Sequence, residues 1–173
     1  MANSFLNFNN VERQSNFPLI PDKTLAKVRL DIKQGGYNNE KEGWDANMAT
    51  LGKTGAVYLK CEFKILGGEY NGRKVLNLIG LYSKKSPLYQ EIGRHLLLSI
   101  IESSQGIDPK DDSDIANKKR YIKSLADLDN LEFVAEISVG KDANGNPKNE
   151  IKKAIAVTHP EYVRLMENDN MPF

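Results

Sequence analysis

Three stretches of the chain alternate apolar and polar residues with a period of two, the mark of a strand with one buried and one wet face. In "TLAKVRLDIK", Val28, Leu30 and Ile32 share a face. In "AVYLKCEFKIL", Val57, Leu59, Cys61, Phe63 and Ile65 alternate strictly with Tyr58, Lys60, Glu62 and Lys64, so the wet face carries a ring and two lysines. "LEFVAEISVG" alternates through Phe133, Ala135, Ile137 and Val139. "VLNLIGLYS" and "EIKKAIAV" also read as strands, the first with apolar residues on both faces. Asn71-Gly72 marks a hairpin turn between the second and third strands, and "KDANGNPKN" marks another between the last two. Ser86-Pro87 is an N-cap followed by proline at the first helical position. The helix that follows places Leu88, Ile92, Leu96 and Ile100 four residues apart and closes at Gly106. Residues 34–55 read as a long polar loop with two aromatics, Tyr37 and Trp44, and residues 107–130 as a polar connector. The Asn-rich residues 1–24 read as an N-terminal arm, 25–157 as one domain, and 158–173 as a flexible C-terminal tail.

This order predicts a mainly β fold: an OB-fold, a five-stranded Greek-key barrel with one helix between its third and fourth strands. The expected ligand surface of such a barrel is the outer face of strands two and three, bordered by the first long loop and the last hairpin. Trp44 and Lys53 fall in that loop, Tyr58, Lys60 and Lys64 on the second strand, and Lys141 and Lys148 in the last hairpin. "NGRK" adds Arg73 and Lys74, and "LYSKK" adds Tyr82, Lys84 and Lys85. Rings on which bases stack, set among cations that neutralise phosphates, are what a single nucleic-acid strand requires.

Composition narrows the choice without making it. The chain has 173 residues, 40% hydrophobic and 27% charged, enough for one domain with a core. A formal charge of +1 means that any polyanion site needs unevenly placed charge. The single cysteine, Cys61, excludes an internal disulfide and a cysteine-rich zinc module. "MANSFLNFNN" has no basic segment followed by an apolar run, and no apolar stretch is long enough to span a bilayer, so a cytoplasmic protein without membrane contact is expected.

Several motifs resemble pieces of catalytic or metal-binding chemistry. "LGKTG" is half a phosphate loop, but Asn47 stands where the first glycine belongs and a strand follows instead of a helix. "DANGNP" begins like a calcium loop, yet Pro147 and Lys153 occupy its turn-glycine and closing-glutamate positions. His95 and His159 have no spaced partners, and "DDSD" at 111–114 reads as a solvated charge run. The expectation is no catalytic activity, no metal and no cofactor.

The final residues, "ENDNMPF", resemble the acidic C-terminal tip of bacterial single-stranded DNA-binding proteins: several aspartates, an aliphatic residue, then Pro-Phe. Asp169, Met171, Pro172 and Phe173 match, while Asn168 and Asn170 stand where acidic residues are usual. "FNNVERQ", "LIPDKTLAKVRLDI" and "LKCEFKILGGEYNGRKVLNLIGL" resemble a group of phage-encoded proteins of this size, found in recombination and replication gene clusters and regarded as single-stranded DNA-binding. That resemblance spans most of residues 5–157 and implies an OB-fold with a DNA-coating role, without designating individual contact residues. It also implies replication or recombination enzymes as partners, recruited through the tip in a bacterial host's cytoplasm, and it leaves a homo-oligomer open. Physically, a terminal Phe offers a ring to a pocket and a carboxylate to Arg or Lys together. Residues 161–173 carry a net charge of −2, which leaves +3 for the rest of the chain. The other expectations the sequence allows are an OB-type module for RNA or protein, and an accessory subunit of a nuclease or recombinase.

Overall fold

The computed structural model describes residues 18–167, together with Asn9. Its elements are β1 (Thr24–Lys33), β2 (Tyr37–Asn39), β3 (Trp44–Leu51), β4 (Val57–Ile65), β5 (Lys74–Tyr82), α1 (Pro87–Gln105), α2 (Asp114–Arg120), β6 (Glu132–Lys141), β7 (Pro147–Ala154) and α3 (Tyr162–Glu167). Short 3-10 turns lie at Glu40–Glu42 and Leu125–Leu128.

The alternating pattern translates directly into pairing. β4 buries every odd-numbered residue from Val57 to Ile65 and keeps the even-numbered ones toward solvent. One edge of β4 pairs with β5; the other pairs with β1 from Lys60 to Ile65, then with β3 at Tyr58 and Val57. β1 in turn pairs with β6, and β6 with β7, every ladder antiparallel. The result is a mainly β molecule built on one curled antiparallel sheet of seven strands. β5, which branches from β4, and β7, at one end of the sheet, approach each other, and the Ile151 N–H donates to Asn77 Oδ1 across the gap (3.1 Å). Inside the curl, Phe63 of β4 meets Phe133 of β6 edge-on at 5.9 Å, both fully buried. Such a pair adds about 0.5–1.5 kcal/mol beyond the area it buries.

Local chemistry sets the boundaries. In the β4–β5 turn, Asn71 Oδ1 accepts from the Gly67 N–H and Gly72 takes the left-handed conformation at φ 85. In the β6–β7 turn, Asp142 Oδ1 accepts from the N–H groups of both Asn144 and Asn146 at 2.9 Å, so the "DANGNP" carboxylate is used to close a hairpin. The Ser86 side chain caps α1 and Gly106 ends it at φ 68. Among the described residues no helix is long and apolar enough to cross a membrane.

Three segments differ from the sequence expectation. Residues 34–55 hold β2 and β3, which join the sheet, where a loop was expected. The period of two fails there because Ala46 (φ 56) and Asn47 (φ 59) are left-handed, which brings the buried Met48 and Ala49 side by side. The Asn38 side chain holds this kink, bonding both the side chain and the N–H of Asn47. Residues 18–22, within the expected arm, belong to the domain: Ile20 is a core residue, and its N–H and C=O both bond the Asn149 side chain. Residues 162–167, within the expected tail, form α3, which packs on the outer side of β1 and β6. That second cover explains why Ala26, Lys27 and Val28 are buried in succession, as are Phe133, Val134 and Ala135. Lys27 is satisfied under it by the Met166 carbonyl (3.0 Å) and Glu132 (3.4 Å). The connector 107–130 supplies α2 and two core leucines, Leu125 and Leu128, and Arg120 pairs with the nearly buried Glu102 of α1 at 2.9 Å.

α1 meets the sheet backbone to backbone. A Cβ on Gly93 would fall on the Gly80 carbonyl, and a Cβ on Gly80 would strike the Tyr89 ring. This single close approach seats the middle of the helix, so Ile100 and Ile101 are buried while Leu88 and Ile92 stay about 60% exposed. Gly93→Ala should therefore push helix and strand apart. A loss of about 1–3 kcal/mol is expected, read as a lower urea midpoint with an unchanged slope.

Candidate nucleic-acid interface

The outer face of the sheet is legible from the register. Three rows cross it: Arg29, Lys64 and Lys74; then Asp31, Glu62 and Leu76; then Lys33, Lys60 and Leu78. Tyr58 lies beyond, opposite Gly80. The acidic row is already engaged. Asp31 takes a two-pronged bond from Arg29 (2.9 and 3.0 Å), and Glu62 pairs with Lys74 at 3.6 Å. Five cations against two carboxylates leave this face basic, and Lys33, Lys60 and Lys64 have no acidic partner among the described residues.

Lys148, at the start of β7, reaches the same face and completes a hollow of about 220 Å3 lined also by Lys33, Lys60, Leu76 and Leu78. A larger hollow, about 870 Å3, opens between β5, α1 and β7. There Lys23, Lys152 and Lys153 are matched by Asp22, Glu136 and Glu150, so it offers an anion little net field. The smaller one has ammonium groups as its only charged groups.

Rings collect at the Tyr58 end. Tyr89 of α1 lies over Gly80 close to Tyr58; burial pushes its hydroxyl above the ordinary value, and Tyr58 adds to the shift. Tyr58 itself is half-buried, against Gly52. Tyr37, Trp44 and Tyr82 form a chain of tilted rings, with centroids 6.1 and 6.2 Å apart.

The residues singled out in the sequence therefore separate into groups. Tyr58, Lys60, Lys64 and Lys74 share the outer face of β4 and β5, and Lys148 borders it. Lys53, Lys84, Lys85 and Lys141 are exposed on turns or strand ends. Trp44 is not in a loop: it lies in β3, half-buried against the core between two tyrosines, with Tyr82 the more exposed partner. Arg73 is engaged within the fold, donating to the Pro18 carbonyl (2.8 Å) and lying 6.0 Å over the Tyr70 ring. Asp169, Met171, Pro172 and Phe173 lie outside the described residues.

Sequence reasoning missed Lys33, Leu76, Leu78 and Tyr89. The first three follow only from register, which a single chain does not reveal. Tyr89 was placeable, because the Ser86-Pro87 start fixes it in the first helical turn. Among the described residues no group of three or more His, Cys, Asp or Glu side chains is placed to hold a metal ion. No protein-family model and no curated protein sequence matches this chain.

Cys61 lies directly beneath this face, and burial pushes its thiol from 9.0 up to about 12. The folded state thus favours the protonated thiol. That stabilisation is complete below about pH 9 and is lost as pH rises toward about 12. Cys61→Val should flatten the decline in stability across this window, followed by urea midpoints. In the native protein a thiol reagent at mildly alkaline pH should label Cys61 only on denaturation.

Proposed function

We propose that this chain is a non-catalytic, largely sequence-tolerant single-stranded DNA-binding protein, built on an OB-type barrel and acting in phage replication or recombination. The observation that carries the reading is the outer face of β4 and β5. Unpartnered lysines there surround a hollow, with the tyrosine rings of Tyr58 and Tyr89 at one end. Lysines supply the charge that tracks phosphates, and exposed ring faces supply stacking tolerant of every base. The pairing order supports the barrel: β1 between β4 and β6, β5 beyond β4, β7 beyond β6, and α1 between β5 and β6. In this reading β1, β4, β5, β6 and β7 are the five barrel strands, and β2 and β3 elaborate the first loop. The tip at Asp169–Phe173 recruits partner enzymes in the host cytoplasm, and no cofactor takes part.

The deciding experiment titrates the protein with oligo-dT, oligo-rU and duplex DNA in parallel. Binding to the single strand should fall with a log–log salt slope near −3, as expected for roughly four phosphates neutralised at about 0.7 each. Tyr58→Ala should cost about 1–3 kcal/mol of that affinity, and Lys60→Ala should reduce the slope by about 0.7, both with folding intact. Duplex bound as tightly as single strand, or binding indifferent to salt, would falsify the reading.

The tip is tested separately. Phe173→Ala should leave DNA affinity unchanged and abolish capture of recombination or replication enzymes, because a buried aromatic anchor dominates such contacts. A variant that loses DNA binding and keeps its partners would reverse these roles.

A further inference from the structure

Resting on that single-strand reading, we propose that the hollow between Lys33, Lys60 and Lys148 receives a base and prefers thymine to uracil. Two properties of its wall lead there. The first is that its apolar surface is aliphatic: Leu76 and Leu78 stand on the outer face of β5, 57% and 56% exposed. A leucine side chain has no π-face to reward stacking as such. It rewards a projecting methyl, and among the pyrimidines thymine alone carries one, at C5.

The second property is that the hollow's charged groups are all donors. A lysine ammonium offers three N–H donors and no acceptor, and Lys33, Lys60 and Lys148 form no ion pair among the described residues. Asn77 also lines the hollow; its Oδ1 accepts from the Ile151 N–H and its Nδ2 donates to the Leu78 carbonyl at 3.1 Å, which leaves one lone pair and one N–H uncommitted. Thymine and uracil present the same O2 and O4 acceptors to the ammonium groups, so the lysines hold either base and the leucines tell them apart. Because each ammonium has three donors, one lysine can serve a phosphate oxygen and a base carbonyl together.

The test compares deoxy-homopolymers of T and U, each about 16 nucleotides long to cover one barrel, competing for the protein at neutral pH and fixed salt. Oligo-dT should bind about two- to fourfold more tightly than oligo-dU, since burying one methyl is worth about fourfold. A Leu76→Ala, Leu78→Ala double variant should bring the dT/dU ratio to one with its salt slope unchanged. Lys33→Ala should weaken both oligomers and flatten the slope, leaving the dT/dU ratio in place. Tight, salt-dependent binding with equal dT and dU affinities overturns base reading and spares the single-strand assignment. Failure to bind any single strand overturns both. The wild-type ratio needs no variant, so a leucine variant that failed to fold would not rescue the proposal. A ratio that persisted in a folded leucine variant would defeat it.

Discussion

The parity of β4 is the constraint on which everything else rests. It is the strand that touches the most neighbours, with β5 along one edge and β1 and β3 sharing the other. Its odd residues make the centre of the core, Phe63 included, and its even residues make the middle of the basic face. A slip of one residue would exchange the two sets, placing Lys60 and Lys64 in the core and Phe63 in water. Core and candidate site are thus two readings of one alternation. Neither can be altered by register without destroying the other.

The second constraint is how the charge on that face is shared. Were all its cations free, Arg29, Lys64 and Lys74 would repel one another across adjacent strands, since like charges directly opposite are destabilising. Asp31 and Glu62 sit one row away and draw off Arg29 and Lys74. Lys64 stays free in its row, and the other free cations, Lys33, Lys60 and Lys148, gather around the leucines of β5. The acidic row therefore does more than preserve the sheet: it moves the uncompensated charge toward the hollow. Arg73 illustrates the opposite allocation, its guanidinium holding residue 18 against the hairpin.

How much of this the sequence disclosed follows from the range of the forces involved. Local chemistry was readable: the strict alternation of β4, the Asn71-Gly72 turn, the Ser86 cap and the Gly106 stop all act within a few residues. Elements whose pattern is broken by a distant partner were not readable. β3 lost its period to two left-handed residues held by Asn38, and α3 hid in a segment of six residues, too short to display a helical period. The site divided along the same line. Tyr58, Lys60 and Lys64 were visible from alternation alone. Lys33, Leu76 and Leu78 became neighbours only through the pairing of β1 and β5 with β4. Trp44 looked free because its loop looked free, whereas tertiary packing sets it between Tyr37 and Tyr82.

The β1–β6 ladder has a consequence for how the molecule assembles. It pairs Thr24 with Ile137, so the two strands lie more than a hundred residues apart along the chain. Loop closure over that span must precede the contacts that reward it, which places such topologies among the slow, millisecond-to-second folders. As the chain leaves the ribosome, β1 through β5 can pair in order, yet Phe63 lacks Phe133 and one edge of β1 stays open. Lys27 lies on that open edge, opposite Val134 in the finished ladder. It is buried only once α3 lands on it; until then it is a charge on an unpaired edge, the kind of residue that discourages another chain from pairing there. The same ammonium that anchors the finished molecule would guard the unfinished one.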